Sequence, residues 1–173
     1  MAQGERRAAP SGLDHIRARV RAYADEAGAQ HVIVLDMSGH VLAAAGNVMH
    51  GDDVALGALL AGLFGSAKAM SAMLGEPDFR SFFQQGVHTN IYTVLLGEHW
   101  LLVTVFDHQT QVGLVRMLAN QAASDLEDAL LPLDEMDFAS VRAAVQTQAF
   151  RTSFDDTLER LFQDDPNPTH EER

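Results

Sequence analysis

Histidines, adjacent aspartates and one serine are the residue types in this chain that most often support metal binding or catalysis. The histidines show neither an HExxH motif nor other tight ligand spacing, so we expect ordinary strand and turn positions rather than a metal site. Asp52 and Asp53 could act as paired carboxylates, but they open an apolar helical segment, where helix capping explains them. Ser66 follows Gly65 without the flanking pattern of a nucleophile elbow. The eight histidines are His15, His31, His40, His50, His88, His99, His108 and His170.

Two further classes of chemistry are excluded by motifs that the chain lacks. There is no Gly-x-x-x-x-Gly-Lys-Ser/Thr motif, so the chain is not itself a P-loop GTPase. There is also no cysteine, which excludes a thiolate nucleophile and a disulfide framework. We therefore predict a protein with no catalytic site, no metal and no cofactor of its own.

The charge distribution argues against nucleic acid as a partner. The formal net charge is −12, and an acidic chain of this kind repels phosphate backbones. Five basic positions near the N-terminus, Arg6, Arg7, Arg17, Arg19 and Arg21, are interpreted as a solvated strip. The N-terminus lacks the apolar core of a signal peptide, and no uninterrupted spanning run follows. We therefore expect a cytoplasmic protein that does not insert into a membrane.

A central strand and the helix that follows it indicate the architecture. Residues 100–106 are too apolar and β-branched for a strand with one solvent-exposed face. Helices should therefore pack on both faces of the sheet. Asp107 and Thr110 are placed to cap the next helix, which we expect from about residue 110 to residue 130. Pro132 should end that helix.

The other elements are predicted from periodicity and turn residues. Helices are expected at residues 13–28 and 52–74, and Asp36 and Gly39 should form the turn of the first hairpin. Strands are expected at residues 31–36, 40–45, 79–85, 88–96 and 99–106. The result is an α/β (α+β) fold in the order α-β-β-α-β-β-β-α, with a five-stranded, mostly antiparallel sheet and helices on both faces.

The chain divides into four predicted regions. Residues 1–12 form a flexible N-terminal arm, and residues 13–131 form the folded domain. Residues 132–163 are an amphipathic, acidic, helical C-terminal extension, and residues 164–173 are a disordered tail. The extension either folds back on the domain or docks on a partner.

The second helix should have two unlike faces. A solvated helix face normally carries Glu, Lys, Arg or Gln, but one side of this helix is made of small residues with Lys68 as its only charge. We expect that side to contact a second helix or a partner protein, with a tail of the same chain as the alternative cover. The predicted core face consists of Leu56, Leu59, Leu60, Leu63, Ala67, Met70 and Leu74. The predicted partner-binding or dimer face consists of Gly57, Ala58, Ala61, Gly62, Gly65, Lys68, Ala69 and Ala72.

The strand after this helix is expected at an edge of the sheet. An open edge exposes unpaired backbone groups, and antiparallel pairing with the same strand of a second copy would satisfy them. Together with the small-residue face, this favours a twofold homodimer. The predicted edge positions are Phe79, Ser81, Phe83 and Gln85.

The element order and the segment at residues 106–117 resemble the roadblock/dynein light-chain family over about residues 13–131. Within that family the chain is most similar to bacterial MglB-type proteins. The matching segments are Ala61-Gly62, Leu74-Gly75-Glu76, Phe83-Gln84-Gln85-Gly86 and the helix start between Asp107 and Arg116. The resemblance implies a roadblock-like homodimer with paired central helices and a sheet continuous across the dimer.

The same resemblance implies a function. It predicts a regulator that binds a small Ras-like GTPase of the MglA type and stimulates its GTP hydrolysis, in a cell-polarity or motility switch. Because the second helix offers no arginine, we expect remodelling of the GTPase switch regions rather than insertion of an arginine. Two alternatives remain open: a dimeric scaffold that binds a GTPase or another partner without stimulating it, and a small-molecule sensing domain.

Overall fold

A computed structural model describes residues 12–46 and 53–134, all within one compact unit. The element order is α-β-β-α-β-β-β-α, as the sequence predicts. The helices are α1 (Gly12–Ala27), α2 (Asp53–Met73) and α3 (Val112–Asp134). The strands are β1 (His31–Asp36), β2 (Val41–Gly46), β3 (Ser81–Gln85), β4 (Thr89–Leu96) and β5 (Trp100–Asp107).

The five strands form one antiparallel sheet in the order β2-β1-β5-β4-β3. β5 lies at the centre, and every residue from Trp100 to Phe106 is buried. This confirms the prediction of a central strand covered on both sides. β2 and β3 are the two edges.

Helices cover both faces of the sheet. On one face, the Tyr23 hydroxyl of α1 lies 2.8 Å from the Thr104 hydroxyl of β5, and both side chains are buried. Burial raises the pKa of Tyr23 to about 12. On the other face, Phe64 of α2 packs in a cluster with Ile33 and Val103. Because side chains alternate along β5, this strand contributes to two separate hydrophobic layers, one on each face of the sheet.

The first hairpin turn packs against α2. The Asp36 carboxylate accepts hydrogen bonds from the Ser38 and His40 backbone amides, at 2.8 and 2.9 Å, and Gly39 has a φ of 88°. This confirms the predicted turn. Gly39 packs directly on α2, because a Cβ added at Gly57 would overlap the Gly39 carbonyl oxygen. The contact is thus between two backbones and leaves no room for a side chain.

The predicted capping of α3 is wrong. α3 begins at Val112, and the Asp107 carboxylate instead accepts a hydrogen bond from the Gln109 amide at 2.8 Å. The Thr110 hydroxyl donates to the Gly28 carbonyl, 3.3 Å away, at the end of α1. Local side-chain bonds to turn amides compete with helix capping, as at Asp107. The Thr110 hydroxyl instead joins the segment before α3 to the end of α1.

Most predicted boundaries lie within one residue of the structure, and two larger differences remain. α3 continues through Pro132 to Asp134, because a proline in the last turn removes only one helical hydrogen bond. Phe79 lies before β3 rather than within it, since its side chain turns inward to contact Phe64.

Residues 1–11, 47–52 and 135–173 lie outside the described residues, as does the Asp53 side chain. The predicted tail, the predicted arm up to residue 11 and the predicted extension from residue 135 onward belong to that part, together with His50 and Asp52.

Candidate functional site: the exposed surface of α2

The buried face of α2 is narrower than the sequence predicts. It consists of Gly57, Leu60, Ala61, Phe64 and Ala67, which recur at helical spacing and pack toward the sheet. The predicted core face is therefore correct at Leu60 and Ala67 but wrong at four other positions. Those four are exposed in the single chain: Leu59, Leu63, Met70 and Leu74.

The reason for this error lies in the size of the buried residues. The sequence-based prediction assigned leucine and methionine to the core face. In the structure Phe64 packs on the sheet instead, and the small Gly57 and Ala61 allow close approach beside it. Phe64 is the one aromatic residue in α2. Its spacing from Ala61 and Gly57 is the signal that would have identified the buried face.

The predicted interface residues fall into three groups by exposure. Gly57 and Ala61 are buried against the domain and are not surface positions of the single chain. Gly65 and Lys68 are partly exposed. Ala58, Gly62, Ala69 and Ala72 are exposed. Six of the eight positions can thus meet a partner.

The exposed side of α2 carries two adjacent strips. We call Leu59, Leu63, Met70 and Met73 the large-residue strip, and their exposures are 72%, 38%, 58% and 88%. We call Ala58, Gly62, Gly65, Ala69 and Ala72 the small-residue strip. At about 100° per residue the two strips lie side by side along the helix. A folded domain rarely leaves several large apolar side chains in a row uncovered, so this surface is the candidate site of the described residues.

The β3 edge lies close to the same helix. Phe79, just before β3, contacts Phe64 of α2 with ring centroids 5.2 Å apart. β3 pairs only with β4 among the described strands, so its other side is an open edge. Ser81, Phe83 and Gln85 share one face of that strand, and Phe83 stacks on Phe106 at 6.4 Å. An exposed helix surface and an exposed strand edge thus occur in one part of the fold.

The residues considered for catalysis occupy structural roles. Ser66 donates a hydrogen bond to the Gly62 carbonyl, one helical turn earlier, at 2.8 Å. His40 lies 3.0 Å from the Asp36 carboxylate in the hairpin turn, and His31 is buried in β1. In the described part of the chain, no cluster of three or more His, Cys, Asp or Glu side chains could hold a metal ion.

A surface cleft of about 480 Å³ lies between α1 and α3. His15, Arg19, Asp125, Asp128 and Ala129 line it. Arg19 is already engaged there, 2.8 Å from the Asp125 carboxylate and 3.6 Å from that of Glu26. The cleft is therefore charged and partly filled by its own ion pairs, unlike the mostly apolar pockets that hold small molecules.

α2 is also long and apolar enough, by length and composition, to cross a membrane, over Val54–Met73. Its position in the fold gives another reason for this composition. Leu60, Ala61 and Phe64 belong to the core cluster of the domain, and Leu56 packs against it. Most of the exposed apolar residues form the two strips. One side of the helix thus contacts the sheet, and the other carries the two exposed strips.

Comparison with known proteins shows which of them share this fold. The Roadblock/LC7 domain model matches residues 18–106. MglB of Myxococcus xanthus is 26% identical with a TM-score of 0.67, and the match covers 77% of this chain and 95% of that one. The gliding protein MglB of Thermus thermophilus is 25% identical with a TM-score of 0.63, covering 74% of this chain and 97% of that one.

A third similar structure is MglB in a tetrameric arrangement, at 25% identity and a TM-score of 0.65, covering 74% of this chain and 96% of that one. No curated protein matches the chain by sequence. The family model spans more than half of the chain, including all five strands up to Phe106 and the whole of α2. This protein belongs to the Roadblock/LC7 domain family.

Proposed function

We propose that this protein is a homodimeric regulator that binds a small Ras-like GTPase of the MglA type and stimulates its GTP hydrolysis, acting in the cytoplasm in cell polarity or motility. The observation that carries the proposal is the exposed surface of α2. Leu59, Met70 and Met73 are each more than half exposed on a domain whose fold is shared with MglB. Such a surface fits protein binding better than catalysis.

Dimerisation is supported by the edge next to this surface. β3 offers unpaired backbone groups, and a twofold axis would place β3 beside its own copy in an antiparallel pair. The large-residue strip of α2 would then be covered by the same strip of the second copy. One isologous contact between two copies would both pair the β3 edge and cover the large-residue strip.

The proposed mechanism is indirect. GTP hydrolysis requires a positioned water and neutralisation of the charge that develops on the phosphates. α2 contains no arginine and has Lys68 as its only basic residue, so its surface is suited to holding switch loops in place rather than to supplying a catalytic guanidinium. The protein would then act on the GTPase's own residues and need no catalytic site of its own.

The test is sedimentation of the full chain alone and with the MglA-type GTPase bound to GDP or to a non-hydrolysable GTP analogue. Alone, the protein should sediment as twice its 18.8 kDa chain mass. The GTP-analogue form should join it in a larger complex, and the GDP form should bind more weakly. Gly65→Arg combined with Ala69→Arg should abolish that complex, because two long charged side chains would then stand on the small-residue strip.

The matched control is Asn120→Arg combined with Ser124→Arg. These two residues are also four apart and exposed, but on α3. Binding should survive this change. Equal loss of binding in both double variants would contradict the assignment to α2, and absence of any complex with the unmodified protein would contradict the proposed function.

A further inference from the structure

β2 is the second open edge of the sheet, at the opposite end from β3. It pairs only with β1 among the described strands. Natural proteins protect such edges with charged residues, proline or a β-bulge. β2 has a register shift near Val41, but its pairing is regular from Ala43 to Gly46, and that stretch contains neither a charge nor a proline. This part of β2 is therefore an unprotected edge.

The backbone of Ala44 points away from the rest of the sheet. At the hairpin, the Asp36 amide donates to the His40 carbonyl at 3.0 Å. Because hydrogen bonding alternates along an antiparallel strand, the even-numbered residues of β1 bond β2. Their partners in β2 are Ala43 and Ala45. The amide and carbonyl of Ala44 therefore face outward, and its small side chain is exposed.

Two arginines of α1 lie beside this edge. α1 packs against α3 on one flank and against β2 on the other. Arg19 marks the α3 flank, because its guanidinium lies 2.8 Å from the Asp125 carboxylate. Arg17 and Arg21 are each two positions from Arg19, which is about 160° around the helix. They therefore lie on the β2 flank, where Arg17 is partly exposed and Arg21 is exposed.

The charges of these two arginines are not neutralised by ion pairs. Neither Arg17 nor Arg21 forms an ion pair with a carboxylate of the described residues. Asp14 and Asp25 share this flank of α1, but a helical wheel places both farther from the sheet than the arginines, and both are exposed. The part of α1 nearest to the β2 edge is thus positively charged, on a chain with a net charge of −12.

We propose that the β2 edge binds an extended acidic peptide segment of a partner protein, which adds a strand beside Ala44 and directs its carboxylates to Arg17 and Arg21. Strand addition supplies backbone hydrogen bonds, and side chains at alternate positions supply selectivity. Every second side chain of an extended peptide lies on one face, so acidic residues at alternate positions would all point toward α1. This site uses neither β3 nor the exposed surface of α2. It is therefore independent of the proposed GTPase binding.

The experiment measures the fluorescence anisotropy of a labelled peptide that alternates glutamate with valine, titrated with the full chain at low salt. A length of about eight residues suffices to span one edge strand. This peptide should bind, and binding should weaken as salt is added. The same peptide with lysine in place of glutamate should not bind. A glutamate–valine peptide with proline at two central positions should also fail, because strand addition requires its backbone amides.

Protein variants locate the site. Arg21→Glu should weaken binding by roughly three- to tenfold, whereas the matched reversal Arg116→Glu, at an exposed arginine of α3, should not change it. Ala44→Pro should abolish binding, because it removes an outward-facing amide, and it should keep the fold, because that amide makes no bond to β1. Circular dichroism checks this fold, and the arginine comparison stands without it. Gly65→Arg combined with Ala69→Arg should bind the peptide normally.

Three results would overturn the inference. Equal binding of the glutamate and lysine peptides, or an unchanged Kd for Arg21→Glu, would remove the role of charge. Loss of peptide binding in Gly65→Arg plus Ala69→Arg would assign the peptide to α2 instead. Absence of peptide binding to the unmodified protein would mean that another segment or a second copy of the chain covers the β2 edge. Failure of the GTPase to bind would contradict the proposed function and leave this inference standing.

Discussion

At the scale of single residues, some positions depend on one specific hydrogen bond or one backbone conformation. Asp36 and Gly39 were predictable, because an aspartate that accepts from turn amides and a glycine with positive φ are local features of sequence. Tyr23 and Thr104 were not, since their hydrogen bond joins residues 81 apart in the chain. Only the fold brings these two hydroxyls together.

Tyr23 gives a pH-dependent prediction. Its pKa is raised to about 12 by burial, in spite of the hydrogen bond to Thr104, while in the unfolded chain it titrates near 10. The unfolded state therefore releases this proton first as the pH rises. The stability associated with neutral Tyr23 is complete below pH 10 and should fall by about 1.4 kcal/mol per pH unit until pH 12.

The measurement is urea unfolding of the wild type and Tyr23→Phe between pH 8 and 12. Phenylalanine should lower stability by roughly 1–3 kcal/mol at pH 8, because the Thr104 hydroxyl loses its partner. The difference between the two proteins should shrink as the pH rises above 10. A difference that stays constant to pH 12 would contradict the role assigned to this buried hydroxyl.

At the scale of elements, α2 shows how much of the site follows from sequence. Its limits, and the unusual presence of small residues on a helix with one charge, were visible in the sequence. Which face is buried was not, because the leucines share one side of the helix and only contact with the sheet selects Leu60 and Phe64 over Leu59 and Leu63. For the same reason the glycines of α2 look alike in sequence and differ in the structure.

Gly57 and Gly62 form a matched pair for testing this difference. A Cβ at Gly57 would overlap the Gly39 carbonyl oxygen, whereas a Cβ at Gly62 would meet nothing within 4 Å. Gly62→Ala should therefore stabilise the protein by about 0.5–1 kcal/mol through helix propensity. Gly57→Ala should destabilise it, because the hairpin turn must move away from α2.

Urea unfolding of the two variants at neutral pH measures both effects. Both variants make the same Gly→Ala change on one helix, five positions apart. A difference between them therefore does not arise from helix propensity. Stabilisation by both changes would mean that the backbone contact between Gly39 and Gly57 does not hold the turn against α2.

At the scale of the whole molecule, two neighbouring surfaces lack a contact among the described residues: the large-residue strip of α2 and the open edge at β3. The element order, the helices on both faces and the central position of β5 follow from hydrophobic patterning. The pairing of two chains does not follow from hydrophobic patterning. An apolar residue that contacts a second copy has the same pattern in the sequence as one that contacts the core. Burial in the folded chain is what separates Leu60 from Leu59.

The most direct test of the central claim is single-turnover GTP hydrolysis by the MglA-type GTPase, with and without saturating amounts of this protein. We predict faster hydrolysis with the wild type and with the α3 control variant Asn120→Arg plus Ser124→Arg. We predict the intrinsic rate alone with Gly65→Arg plus Ala69→Arg. Binding of the wild type without any acceleration would contradict the claim of stimulation and leave a dimeric scaffold in its place.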